Sequence, residues 1–124
     1  VYKKQKRVAK KEDVQGFLND FHVKLSIYDI LFRDNRPKNT NTLLALEISP
    51  NKRKEIIAKL KLEDYCEGPM DDKLYGIASM WVFGTTLSGK EIFIKISMGP
   101  YQQPVICISC VHFLVRLYFR RDYF

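Results

Sequence analysis

A lysine held between isoleucines in an alternating strand is the residue of this chain best suited to chemistry. In GKEIFIKIS, from Gly89 to Ser97, Ile92, Ile94 and Ile96 point one way and Glu91, Phe93, Lys95 and Ser97 the other, because successive strand residues face opposite sides of a sheet. The isoleucine face is core. The other face sets a cation on a rigid floor beside an aromatic ring, an arrangement that suits single-stranded RNA: rings stack bases while Lys or Arg pairs with phosphate. RNA carries its own nucleophile, the 2′-hydroxyl. Its cleavage therefore needs only a base for that hydroxyl, a cation for the phosphorane and an acid for the leaving oxygen. Lys95 is the candidate cation, and Glu67, Asp71, Asp72, Glu91 and His112 are the groups that could move protons. The rest of the face is assembled from Trp81 or its neighbours, Phe93, and residues near Ser109 and His112. Lys90 and Lys38 are the further basic candidates for contact with RNA. Composition alone favours a competing reading, in which this is a packing face covered by helices.

Other chemistries find less support. The chain has no G-x-x-x-x-G-K-[ST], G-x-S-x-G or H-E-x-x-H pattern, so nucleotide hydrolysis, serine hydrolase and zincin readings lack their machinery. Of its two histidines, His22 sits beside Phe21 as a surface or boundary residue, and His112 follows the last strong strand pattern. Cys107 and Cys110 have a C-x-x-C spacing but lie in VICISCVHF, which reads as a buried strand. A zinc site would need a second ligand pair, and a redox motif a helix start after the first Cys. Core cysteines are the expectation, with no metal and no cofactor. Three cysteines in all give no disulfide framework, which suggests a reducing cytoplasmic setting.

The formal net charge of +7 points to a polyanionic partner: nucleic acid, an acidic membrane surface or an acidic protein. Much of that excess lies in Lys3, Lys4, Lys6, Arg7, Lys10 and Lys11, read as a flexible basic tail or a binding arm. The first residues lack the apolar segment of a signal peptide, and no apolar run approaches the roughly 18 residues that span a bilayer.

The elements that must position these residues form one domain over residues 1–124. KEDVQGFLNDFHVKL carries Val14, Phe17, Leu18, Phe21 and Leu25 at helical spacing, after an acidic Glu12-Asp13 start. Ile27 to Arg33 alternates as a strand, DNRPKN supplies a turn, and NTNTLLALEI reads as a short capped helix. Ser49 and Pro50 then open a helix whose stripe is Ile56, Ile57 and Leu60; most of Lys52, Arg53, Lys54, Lys59 and Lys61 form a solvated face. DYCEGPMDDKLYG reads as an acidic loop. IASMWVFG, KEIFIKISM and PVICISCVHFLVRLYF are strands, joined by the short connections TTLSGK and GPYQQ and therefore antiparallel. Helices first and a meander second predict an α+β domain with helices on one sheet face.

The segment from Leu62 to Ser109 resembles the MqsR (motility quorum-sensing regulator) toxins of bacterial toxin–antitoxin pairs. Asp64-Tyr65 matches an Asp-aromatic pair after a helix, and Trp81 a Trp opening a strand. Gly89 before EIFIKIS is similar to the family's Gly-x-Val-Tyr-Leu-Lys-Leu strand, and VICIS is like its last apolar strand. The resemblance implies a RelE-like fold, metal-independent and sequence-specific cleavage of mRNA, and tight inhibition by a cognate antitoxin protein. It places the family's strand lysine on Lys95, its functional tyrosine on Phe93, its lysine after the Asp-aromatic pair on Glu67, and a glutamine on Val82. Tyr65 either assists or is a buried structural tyrosine. The family tends to end its last strand with Ser-Phe and then Lys or His; here Ser109 precedes Cys110 and Val111, with His112 one place late.

Overall fold

A computed structural model describes residues 9–33, 48–71 and 79–112. Helix α1, Lys11–Tyr28, forms where Val14, Phe17, Leu18 and Phe21 recur on one side, and all four are buried. Glu12 and Asp13 occupy its first turn, where negative charge complements the exposed backbone N–H groups. The helix ends at Asp29, whose φ of 67° leaves the helical region while its N–H donates to the Leu25 carbonyl. This corrects the expected strand over Ile27–Arg33: the helix runs through Tyr28, and strand β1 is only Ile30–Phe32. Leu25 and Tyr28, both half-buried, continue the helical stripe past Phe21. That packing overrides the local preference of Ile27 for a strand.

Helix α2, Pro50–Ala58, starts as expected, with the Ser49 hydroxyl accepting from the Lys52 N–H at 3.1 Å. Arg53 is the exception on its basic face. It is 6% exposed, and its guanidinium carbon lies 3.7 Å from the centre of the Phe32 ring, a cation–π contact between α2 and β1. A single 3₁₀ turn, Leu62–Asp64, leads into the sheet.

The strands are β2, Tyr65–Met70; β3, Met80–Leu87; β4, Lys90–Ser97; and β5, Val105–His112. Among the described residues these and β1 form one five-stranded sheet in the order β1-β5-β4-β3-β2, antiparallel except for β1, which runs parallel to β5. The α+β class holds, with a mixed sheet. The stretch expected as an acidic loop is in its first part the edge strand β2. Gly68 and Pro69 obscured it in sequence, and an edge position tolerates both; β2 also shifts register twice against β3. Between β3 and β4 the turn is Ser88-Gly89, at φ 52° and 76°, the two-residue connection whose twist matches the flanking strands.

The two described helices cover one face of this sheet. There Val14, Phe17, Leu18, Phe21 and Ile57 pack with Trp81, Phe83, Ile92, Ile94, Ile96 and Val105. Cys107 and Cys110 join the same core, although three positions apart in a regular strand would separate them. The register explains it: Lys95 pairs with Ser109 but Ile96 with Cys107, so Ile108 is the extra residue of a bulge that resets the alternation. On the opposite face Val82 and Val111 cluster with Cys66, Met70 and Phe93. The short helix expected over NTNTLLALEI lies outside the described residues, apart from Ile48.

Candidate functional site

Strand register gathers the candidate site. Glu67 pairs with Val82, Val82 with Lys95, and Lys95 with Ser109, so the four side chains form one row across β2, β3, β4 and β5. Paired residues share a face of the sheet, here the face away from α1. At strand spacings of about 4.8 Å, the Cα atoms of Glu67 and Lys95 stand about 10 Å apart across Val82. Lys95 is 5% exposed and Ser109 is fully buried, while Glu67 is half-buried. All three are engaged by neighbouring groups. The row offers a carboxylate, an ammonium and a hydroxyl on rigid neighbouring strands. Water exclusion around the ammonium strengthens its interaction with developing negative charge.

Phe93 lies two positions from Lys95 on the same face, about 7 Å along the strand. It is half-buried and packs beside Val82, Val111 and Cys66. Gly84, opposite Phe93, leaves room for the Cys66 sulfur, since a Cβ there would lie only 3.1 Å from it. Phe93 also lines a groove of about 300 Å³ with Glu63, Asp64, Thr85 and Glu91. These carboxylates repel phosphate, so this groove is poorly suited to the RNA backbone and leaves Lys95 as the cation of the strand interior. Lys90 is exposed at the start of β4.

The structure separates other expected members from this row. Trp81 pairs with Ile96 and faces the helices. Its ring stacks on Phe17 with centroids 4.5 Å apart and planes 13° from parallel, so at 9% exposure it is enclosed by core on the side expected to meet a base. The unbroken apolar run Met80-Trp81-Val82-Phe83 carries no alternation from which its face could be read. Tyr65 also faces the helices, at a T-shaped 6.1 Å from Phe83. Its hydroxyl accepts from the Ala9 N–H at 3.0 Å and donates to the Gly68 carbonyl at 2.6 Å. His112 has Ile92 as its register partner, while Lys95 has Ser109, so the backbone places His112 three positions from the row. Asp71 is exposed beyond the end of β2. Lys38 and Asp72 lie outside the described residues.

A second group went unnoticed in the sequence. From α1, the Lys24 ammonium donates to the carbonyls of Met98 at 2.7 Å and Pro100 at 2.6 Å. Partial burial pushes its pKa below the ordinary lysine value, because desolvation disfavours the charged form. Only tertiary structure brings residues this far apart in sequence together.

Among the described residues, no group of three or more His, Cys, Asp or Glu side chains is placed to share a metal ion. Among those residues, too, no helix is long and apolar enough to cross a membrane. Compared with known protein families, curated proteins and solved structures, the chain matches none.

Proposed function

We propose that this protein is an endoribonuclease toxin of a bacterial type II toxin–antitoxin system, cleaving single-stranded mRNA without a metal and neutralised by a cognate antitoxin protein. The observation that carries the reading is the row Glu67–Val82–Lys95–Ser109. In it, Glu67 takes the proton of the 2′-hydroxyl as that oxygen attacks phosphorus, Lys95 stabilises the phosphorane, and the 5′-oxygen leaves with a proton from water, while Phe93 offers a ring to a base. Lys90 contributes a phosphate contact at the strand opening. The resemblance of Leu62–Ser109 to the MqsR toxins, with Lys95 on the family's strand lysine, and the net charge of +7 support the same reading. The RelE-like fold and a cytoplasmic location belong to this proposal.

The test is incubation of the purified protein with a defined single-stranded RNA in EDTA, followed by analysis of the new ends. Cleavage to 2′,3′-cyclic phosphate ends, lost in Lys95→Ala and reduced in Glu67→Gln, is the expected result. Cleavage that persists in Lys95→Ala removes Lys95 from its role.

A second reading is a non-catalytic RNA- or protein-binding domain, an inactivated toxin. It is favoured by the 5% exposure of Lys95 and by the structural bonds of the Tyr65 hydroxyl. RNA binding by the wild-type protein without any cleavage would select it.

A further inference from the structure

The connection between β4 and β5 is braced on several sides. Gly99 has φ 75°, and a Cβ there would run into the Pro104 carbonyl oxygen. Gln102 has φ 55°, a left-handed conformation that a side chain adopts at a cost. The Gln103 N–H donates to the Pro100 carbonyl at 3.3 Å, and Lys24 reaches from α1 to hold Met98 and Pro100. At the tip of this turn Tyr101 is 86% exposed. Its ring contributes almost no buried surface to the fold, so folding alone does not account for a large aromatic group held out on an ordered turn.

Between Tyr101 and Tyr28 of α1 lies an open groove of about 620 Å³, which Asp20, Lys24 and Gln102 also line. Among the described residues, the Asp20 carboxylate, the Gln102 amide and both phenol hydroxyls have no hydrogen-bond or ion-pair partner. Lys24 uses two of its three N–H donors on the turn, and the third remains to meet an acceptor. The exposed aliphatic residues Val23 and Ile27 lie further around α1 and do not line the groove. Met98 and Gly99 complete the lining, so the walls are aromatic and polar with one apolar patch at Met98.

We infer that this groove binds a nucleobase of single-stranded RNA, stacked against Tyr101 and read along its edge by Asp20 and Gln102. An aromatic ring on an ordered support is a stacking platform for any base. A carboxylate accepts from an exocyclic amine, such as that of cytosine, and an amide both donates and accepts. The remaining Lys24 donor suits a base carbonyl or a phosphate oxygen. The groove opens at the end of β4 that follows Lys95, about 10 Å along the chain from Lys95 to Met98. The inference rests on the RNA reading above and adds to it a second contact point, separate from the cleavage row.

The experiment is a fluorescence titration of wild-type protein, Tyr101→Ala, Tyr101→Phe and Asp20→Asn with a short labelled 2′-O-methyl RNA, which binds but lacks the nucleophile. Because Tyr101 is exposed, Tyr101→Ala should melt as the wild type does, and a circular dichroism melt confirms that the comparison is between folded proteins. The expected result is a loss of affinity of about 5- to 150-fold in Tyr101→Ala, the range of one lost base stack. Tyr101→Phe should bind as the wild type does, and Asp20→Asn should weaken binding to cytosine-containing RNA more than to a uracil homopolymer. Wild-type affinity in Tyr101→Ala overturns the groove assignment and leaves the RNA reading standing. If the wild type binds no RNA, both readings fall. If Tyr101→Ala instead loses only a protein partner, the turn is a protein-docking site and the inference is wrong.

Discussion

Trp81 and Phe17 lie face to face, with ring centroids 4.5 Å apart, and this stack ties helix α1 to the start of strand β3. Phe17 also stands 5.5 Å from Phe21 and 6.2 Å from Phe83, so the pair sits inside an aromatic layer. Trp81 is thereby a structural residue of the helix–sheet interface, and the face that carries Lys95 is left to Val82, Val111, Cys66, Met70 and Phe93. Trp81→Ala should cost about 3–5 kcal/mol of stability. A double-mutant cycle with Phe17→Ala in urea unfolding should show coupling of about 0.5–1.5 kcal/mol. Additive effects would mean that the stack contributes nothing beyond burial.

Tyr65→Phe separates structure from catalysis. The variant removes both the hydroxyl acceptor of the Ala9 N–H and the donor to the Gly68 carbonyl. It should lose about 1–2 kcal/mol in thermal or denaturant unfolding, with cleavage at a permissive temperature unchanged. Full stability with abolished cleavage would move Tyr65 into the chemistry.

The proposed ribonuclease activity turns on Lys95. Lys95→Met keeps most of the side-chain volume on the closed face and removes the charge. Such a variant should stay folded by circular dichroism while cleavage falls by about 10²–10³-fold, the scale of one lost electrostatic contact to the transition state. A folded Lys95→Met enzyme with wild-type turnover would be incompatible with the proposed role.

Gly99→Ala should destabilise the domain by more than about 1 kcal/mol, since the position combines a positive φ with no room for a Cβ beside the Pro104 carbonyl. The melting temperature measures it. The same variant should also disturb the placement of Tyr101.

Asp29 sets a pH dependence. The Lys54 ammonium, donating to its carboxylate at 3.0 Å, and then the Ile30 N–H hold its pKa below the ordinary 3.8. A carboxyl whose folded pKa is depressed contributes stability that is present above its unfolded value and lost as pH falls through the folded one. Unfolding midpoints measured from pH 6 downward should therefore decline on the acid side of about 4. Asp29→Asn should make that limb shallower, by only a small amount because the pair is exposed to solvent. An unchanged acid limb would show that the Lys54 pair carries no stability.

The sequence by itself determined the elements whose signal is local. The spacing of Val14, Phe17, Leu18 and Phe21 makes α1, Ser49-Pro50 starts α2, and the alternation of Ile92, Ile94 and Ile96 fixes both β4 and its core face. Three strong strand patterns with short connections were enough for the antiparallel β3–β4–β5 meander and for the α+β class. In each case the side-chain period or the cap chemistry lies within a few residues and needs no distant partner.

Tertiary structure alone decided the rest. Whether Gly68-Pro69 sits in a loop or an edge strand depends on β3 lying beside it, and β1 becomes a strand only by pairing in parallel with Val105–Cys107. The bulge at Ile108 cannot be read from β5 alone, because it is a mismatch in count between two strands. The face of Trp81 was hidden in a run of apolar residues until Phe17 met it. The candidate site follows the same division. That Lys95 lies on the face opposite the isoleucines was legible in its own strand. That Glu67 and Ser109 share its row, and that Lys24 supports the turn carrying Tyr101, are consequences of register and packing between residues far apart in the chain.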